Sequence, residues 1–485
     1  MQKTALTAPV SPVFAMLPSI VGIAPWHDAL ASLLCTRYGA DVQKVATLAD
    51  GQPERMYDFV LDLSGGQAGI IHAPLRAKRW LVALYGRNGR ALDPQLLMGQ
   101  TPWLAIAEQE QGAASAPRIL ADSCVALPQW GSLETMRRLC EARLTQLVLR
   151  ALDHLLLGHP LPACNTQPHT VAVPLWLAKP RFAVVSSLTR MQNLLRKPFA
   201  HIGQWRLASR IGGEGTFQPW PVEPNRFLAD PFLLKWKGAT YLFCEEYSHD
   251  TGRGAIVWSR FHPSARGWSV PRPALVRPWH LSYPFVLRGP DGNVYMLPEQ
   301  GSTGVLTLYQ AERFPDRWRP VADLLSGDNI TDATLHRDAQ GWWLFCGSGW
   351  DELFLYHAES LRGPYRPHPQ NPVKSDARSA RPGGRIYRNS DGALIRPTQD
   401  CSRGYGSALS LCRIDELSPR VYRETVIDCL QPGLIPGSYG VHSYDRLGDI
   451  EVIDGKTTIQ RRHWDMGILV DRLTRRRQQN IQIAR

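Results

Sequence analysis

Residues 226–246 read RFLADPFLLKWKGATYLFCEE. An apolar run begins at a single carboxylate, Asp230, turns at Lys237-Gly238 and returns as Tyr241-Leu242-Phe243. Glycine at such a turn supplies the positive φ that a tight hairpin needs. A carboxylate pair, Glu245-Glu246, follows at once. The arrangement recurs downstream. Tyr283 opens YPFVLRGPDGNVYMLPE, Asp332 opens DATLHRDAQGWWLFCGS, and Gly383 opens GGRIYRNSDGALIRPTQD; a weaker copy, HSYDRLGDIEVIDG, starts at His442. The openings lie about fifty residues apart, the length of a four-stranded propeller blade. Five units predict a mainly β chain built on a five-bladed β-propeller. In such a ring the innermost strands share one funnel. Asp230, Tyr283, Asp332, Gly383 and His442 are therefore expected to meet at a single mouth.

The rest of the composition is that of an ordinary globular protein. The chain has 485 residues, 44% hydrophobic and 20% charged, enough for two or three domains. Sixteen Trp, fifteen Tyr and thirteen Phe fit hairpins held by aromatic cross-strand pairs. A sugar-binding mouth would draw on the same residue types. The net charge of +12 favours anionic partners such as phosphate groups, nucleotide sugars or acidic lipid. The charge is densest at Arg461-Arg462 and Arg475-Arg476-Arg477, with no long basic arm and no nucleic-acid motif, so nucleic acid is not an expected partner. Nine cysteines, none spaced as C-x-x-C, point to reduced thiols and a cytoplasmic location. The proline-interrupted start does not read as a secretion signal, and no run of about eighteen apolar residues predicts a spanning helix.

Residues 1–165 differ from the rest. YDFVLDLSG (Tyr57–Gly65) and RWLVALYG (Arg79–Gly86) read as buried strands. Ser132 caps a long helix whose apolar residues recur at three and four, and Gly158 closes it. A small α/β domain, Rossmann-like, follows from that mixture. Residues 166–205 form a connector in which Pro168, Pro174, Pro180 and Pro198 interrupt regular structure. Its basic, amphipathic segment SSLTRMQNLLRKPF reads as a helix packed on the propeller, or as one lying on anionic lipid in peripheral membrane contact. Residues 206–485 are assigned to the propeller.

The strands of residues 1–165 and their closing helix resemble the N-terminal domain of formyltransferases. Those enzymes place an Asn-x-His pair and a distant Asp around the formyl donor. His27, His72 and His154 are not so flanked. The resemblance implies a degenerate domain that kept the fold and lost the chemistry, with live formyl transfer as a lesser reading.

Two convergent carboxylates on a rigid funnel are what glycosyl transfer or hydrolysis requires. Asp230 and Asp332, opening units one and three, resemble the pattern of the five-bladed glycoside hydrolase clan of arabinanases, β-xylosidases and invertases. The resemblance implies Asp230 as base or nucleophile and Asp332 as the orienting carboxylate. That clan's acid is a Glu opening blade four, where this chain has Gly383. Glu299 is the substitute candidate, with Glu245 and Glu246 behind it.

The series ADPFLL, YLFCEE, LSYPFV, YMLPE, WWLFCGS, GGRIYR and RPTQDCSRGYG resembles the propeller region of plant glucosamine inositolphosphorylceramide transferases and their bacterial relatives, over about residues 220–455. In the plant proteins a separate glycosyltransferase domain follows the propeller, and its activity is not carried over. The expected function is carbohydrate-active, glycosyltransferase or glycoside hydrolase-like, in cell-surface glycan, polysaccharide or glycolipid biosynthesis. The alternative is a non-catalytic glycan-binding scaffold that assists a separate glycosyltransferase. Arg381, Arg385 and Arg396, near Asp400, either clamp a phosphate or carboxylate of the substrate or satisfy blade carbonyls and neighbouring acids. Tyr283, Tyr405 and His442 either stack on a sugar or pack as core rings. No His/Cys set stands at metal-ligand spacing, so no metal is expected; no cofactor is expected either, apart from a nucleotide-sugar donor.

Overall fold

The computed structural model describes residues 12–17, 24–45, 55–63, 76–85, 92–110, 117–127, 132–165, 175–196, 201–213, 215–221, 223 and 225–460. His72, Pro168, Pro174, Pro198 and the arginines of the tail lie outside them.

Six strands form the N-terminal sheet: β1 (Val13–Leu17), β2 (Asp41–Lys44), β3 (Met56–Asp62), β4 (Arg76–Tyr85), β5 (Trp103–Gln109) and β6 (Arg118–Cys124). Their order is β2-β1-β3-β4-β5-β6. The first four are mutually parallel, β5 runs antiparallel beside β4, and β6 pairs antiparallel with β5 and so returns to the direction of the first four. Alternation along the strands splits the side chains between two faces. Phe14, Met16, Phe59, Leu61, Leu81 and Ala83 meet the helices, whereas Ala15, Leu17, Val60 and Trp80 form a smaller cluster. Three helices serve the first face: α1 (Ala24–Tyr38), α2 (Leu92–Leu97) and α3 (Leu133–Leu157). The Ser132 side chain accepts from the Thr135 N–H at the start of α3, and Gly158 (φ 72°) ends it, its N–H donating to the His154 carbonyl while the His159 N–H donates to that of Asp153.

A fourth helix, α4 (Leu175–Arg196), occupies most of the expected connector and carries Pro180 inside it. Its first half buries Ala178 and sets Phe182 against the N-terminal core, and its Arg181 donates to Met98 just after α2. Most of the segment expected to pack on the propeller, residues 186–199, lies outside the described side chains.

The propeller has five sheets. Blade 1 comprises Arg226–Trp236, Ala239–Ser248, Arg253–His262 and Gly267–Trp268, with Arg272–Leu275 added to its third strand. Blade 2 runs from Ser282 to Ser326, blade 3 from Ile330 to Ser375 and blade 4 from Tyr387 to Leu430. Blade 5 is composite. Tyr444–Leu447 and Ile450–Gln460 come from the end of the ring, and His201–Ile211 and Gln218–Pro219 from its beginning. His201–Ile211 pairs with Ile450–Gln460 over its whole length, so the two ends of the ring are joined by main-chain hydrogen bonds. The ring therefore starts at His201, ahead of the expected residue 206. Lys237 (φ 47°) and Gly238 (φ 80°) make the turn expected of them. Most rings go into packing: Phe232, Phe243, Tyr283, Phe285, Tyr295 and Trp342 lie in one core shared by blades 1 to 3.

The N-terminal domain sits on blades 3 and 4. Its edge strand continues across the seam: Cys124 bridges Asp376, and the Ala377 N–H donates to the Cys124 carbonyl at 2.8 Å. Arg143 on α3 pairs with Asp351 at 2.7 Å and with Glu352. Thr101 donates to the carbonyl of Ser402, in the loop that carries Tyr405.

Candidate functional site

The first three blades share a local device. Asp230 (φ 53°), Tyr283 (φ 44°) and Asp332 (φ 49°) are non-glycine residues in the left-handed region at the same station of the inner strand. Each ladder slips there. Phe232 pairs Phe243 and Ala229 pairs Glu245, so Asp230 and Pro231 together oppose Cys244 alone. Likewise Tyr283 and Pro284 oppose Pro298, and Asp332 and Ala333 oppose Cys346. A two-against-one bulge bends the strand and re-aims the side chain at the bulge. Holding each residue there costs on the order of 1–3 kcal/mol.

The bulges bring the openings together. Asp230 Oδ2 accepts from the Tyr283 N–H at 3.2 Å, and Oδ1 accepts from Ser443 Oγ at 2.9 Å. His442 Nε2 stands 3.4 Å from Asp230 Oδ1, and His442 Nδ1 lies 2.7 Å from Asp454 Oδ1. Asp454 Oδ2 in turn accepts from the Asp230 N–H at 3.0 Å. The Gly384 N–H, next to the blade-four opening, donates to the Tyr283 hydroxyl at 2.8 Å. On the other side, the Asp332 N–H donates to Glu299 Oε2 at 2.8 Å. Asp332 Oδ2 accepts from Arg381 Nε at 2.5 Å and from Gln399 Nε2 at 2.8 Å. Arg381 Nη2 reaches to 4.0 Å from Glu299 Oε2 and lies over the Tyr405 ring at 5.0 Å. All five blades contribute to one connected cluster.

Its electrostatics follow from burial of many acids with few cations. Burial, reinforced by the Asp332 charge, raises Glu299 to about 8 against the partial opposition of Arg381. Burial likewise holds Asp230 up at about 6, with His442 pulling it down. Glu245 is pushed well above the carboxylate range by burial and then by Asp230 and Glu299. Burial alone would lower His442, but Asp454 and Asp230 beside it raise it.

The other expected site residues divide. Glu245 joins the cluster, with His280 Nε2 at 3.5 Å; Glu246, one residue on, points away and pairs with Arg226 at 3.0 Å. Tyr405 stands at the mouth, edge-on to His442 at 5.2 Å. Tyr283 offers no stacking face to a sugar. It is wholly buried, its hydroxyl is shared between Thr334 and Gly384, and its ring packs edge-on against Phe232. Arg396 is 1% exposed and holds Glu424 through two bonds, plus the Ser379 and Ala380 carbonyls. Arg385 bonds the Leu233 and Val286 carbonyls and Asp445. Both arginines thus serve packing, while Arg381 alone of the three meets the acids of the mouth. Asp400 accepts from the Ser402 N–H and hydroxyl and stabilises its own turn.

Three residues escaped the sequence reading. Asp454 anchors His442. Ser443 bonds Asp230. Trp205 stacks on His442 with ring centroids 3.7 Å apart and planes at 8°. Glu245 and Glu299 stand toward the ends of the second strands of blades 1 and 2, but Asp454 lies mid-strand in blade 5, so strand position gave no signal for it. Among the described residues, Asp230, His442 and Asp454 are also the set whose donor atoms, all within 4.8 Å of one another, could hold a metal ion. Here those atoms are bonded to each other.

Residues 219–432 match the family model described as glucosamine inositolphosphorylceramide transferase 1, N-terminal. Glucosamine inositolphosphorylceramide transferase 1 of Arabidopsis thaliana is 34% identical over 212 residues, covering 42% of this chain and 28% of the relative. Its namesake from Oryza sativa subsp. japonica is 35% identical over 237 residues, 44% of this chain and 32% of the relative. The chain thus spans about a third of the length of these relatives, over the propeller region. Among solved structures, a thermostable family-43 glycoside hydrolase aligns with a TM-score of 0.35 at 13% identity, covering 42% of this chain and 76% of its own. The GH43 endo-arabinanase of Bacillus licheniformis aligns with a TM-score of 0.34 at 17% identity, covering 51% and 97%.

Proposed function

We propose that this propeller, similar in sequence to the N-terminal region of glucosamine inositolphosphorylceramide transferases, is carbohydrate-active and that glycosyl transfer or hydrolysis takes place at its mouth. The observation that carries the reading is the pairing of unlike acids on one funnel. Glu299 keeps its proton to about pH 8, whereas Asp230, at about 6, is mostly ionised at neutral pH. One group is therefore an acid and the other a base under the same conditions.

In this mechanism Glu299 gives its proton to the leaving oxygen as the glycosidic C–O bond breaks. Asp230 takes the proton from the attacking hydroxyl, of water or of an acceptor, as the new C–O bond forms. The electron pair of the broken bond leaves on the protonated oxygen. Asp332, fixed by Arg381 and Gln399, orients Glu299 through its own N–H. His442 and Asp454 hold Asp230 from behind. The relatives' names support a glycolipid as the substrate; we extend this to cell-surface glycans and take a nucleotide sugar as the donor where transfer occurs.

A second reading has its own support. Both oxygens of Asp230 already accept hydrogen bonds from within the ring, as a purely structural carboxylate would. Under that reading the mouth binds a glycan and positions it for a separate glycosyltransferase.

Sugar release or transfer by the intact chain, compared with Asp230→Asn and Glu299→Gln, tests the proposal. Loss of turnover by about 10²-fold or more in both variants supports it. Saturable glycan binding with no turnover, unchanged by Asp230→Asn, supports the binding reading instead.

A further inference from the structure

Helix α4 has two apolar sides, and only one is covered. Ala178 and Phe182 lie against the N-terminal core. The opposite side shows Trp176, 74% exposed, with Leu177, Val184, Leu188 and Met191, all at least 46% exposed. These are five of the fifteen exposed large hydrophobic residues among those described. At 3.6 residues per turn they fall within about a third of the helix circumference. The helix sequence, LWLAKPRFAVVSSLTRMQNLLR, holds four basic residues, Lys179, Arg181, Arg190 and Arg196, and no Asp or Glu. On the helical wheel Arg181 falls on one flank of the open stripe and Lys179 on the other.

Five large apolar side chains exposed along one side of a helix are more than the scattered exposure of an ordinary surface and mark an interaction site. Four cations in twenty-two residues exclude burial of the whole helix in a bilayer core. Among the described residues no helix is long and apolar enough to cross a membrane. The pattern of a Trp-led apolar stripe, basic flanks and no acid is that of a helix lying in the plane of a bilayer interface. Anionic headgroups meet the flanking cations, and acyl chains meet the stripe.

We propose that the open side of α4 is a docking surface for an anionic lipid bilayer. The apolar side chains enter the headgroup boundary, and Lys179 and Arg181 contact the lipid phosphates above it. The surface belongs to the N-terminal part of the chain and stands on observations separate from those at the propeller mouth.

Co-sedimentation of the intact chain with vesicles tests this. Vesicles of phosphatidylcholine containing about one-third phosphatidylglycerol are expected to pellet the protein, and phosphatidylcholine alone is not. Binding to the anionic vesicles should weaken as salt shortens the Debye length. Leu188→Asp with Met191→Asp, and separately Lys179→Glu with Arg181→Glu, should each lower the bound fraction at least tenfold while the melting temperature stays put. Equal pelleting on neutral and anionic vesicles would overturn the proposal, as would no binding to either. So would a wild-type dimer, seen by sedimentation velocity without vesicle binding, that Leu188→Asp with Met191→Asp converts to monomer. That result would assign the stripe to a second copy of the chain.

Discussion

The backbone N–H of Asp332 donates to the carboxyl group of Glu299 at 2.8 Å, across the boundary between blades 3 and 2. The contact exists because Asp332 sits in a left-handed bulge that lifts it out of its ladder. Asp332's own carboxylate is turned to Arg381 and Gln399. One residue therefore joins an acid that keeps its proton to a cation fixed beside it.

Stability should fall as the pH rises from about 5 to about 8. Glu299 has a folded-state pKa of about 8, above its ordinary 4.5, so the folded chain binds more protons than the unfolded chain in that window. The slope of stability with pH is then negative, up to about 1.4 kcal/mol per pH unit for each such group. Glu245 is raised in the same direction. Thermal melts at stepped pH check this, and Glu299→Gln should make the decline shallower. A melting temperature that climbs over the range would contradict the burial of these acids in charged-unfavourable surroundings.

Arg396→Met should damage stability rather than ligand binding. Its guanidinium and Lys374 Nζ both bond Glu424, which is 3% exposed at its side chain. Burial would raise that carboxyl, but the two cations hold it well below the usual range. Removing one partner from a buried ion pair costs on the order of 3–5 kcal/mol. Urea unfolding should show a loss of that size. A variant with wild-type stability and weakened glycan binding would return Arg396 to the role of substrate clamp.

Gly384→Ala should loosen the junction of blades 4 and 5. A Cβ there would come within 1.8 Å of the Tyr444 carbonyl oxygen, and the φ of 148° disfavours any side chain. The same residue bridges Tyr444 and donates to the Tyr283 hydroxyl. Backbone atoms cannot step aside as a flexible side chain can, so a cost of about 3 kcal/mol or more is expected. Gly392→Ala, with φ 79° and nothing within 4 Å, should cost only about 1 kcal/mol. Denaturant midpoints of the two variants decide whether the contact matters more than the φ.

The openings of the blades were legible because a repeated hairpin leaves a period, and the period locates equivalent residues before any contact is known. Asp230, Tyr283, Asp332 and His442 were found that way, and the structure gathers them. Arg385 and Arg396 could not be assigned from sequence. Whether a guanidinium meets substrate or a carbonyl depends on partners such as Val286 and Glu424, distant along the chain. Trp205 escaped for a related reason. It lies on a strand that reads as linker until it pairs with the last strand of the ring, more than 240 residues later. Proline misled as well: Pro180 reads as an interruption, yet α4 runs through it because tertiary packing of Ala178 and Phe182 outweighs the lost hydrogen bond. The acids of the mouth read as ordinary carboxylates in sequence. Their protonation depends on burial, which the period does not report.

The account rests most on Glu299 acting as the proton donor of a glycosyl reaction, and the pH profile of turnover tests that most directly. With a sugar substrate that the intact chain turns over, the rate should fall as the pH rises through about 8, where Glu299 loses its proton. Glu299→Gln should cut the rate by about 10²-fold or more and remove that alkaline limb. A Glu299→Gln variant with the wild-type rate and the same alkaline limb would contradict the assignment, and a wild-type chain that binds glycans without turning any over would contradict the chemistry itself.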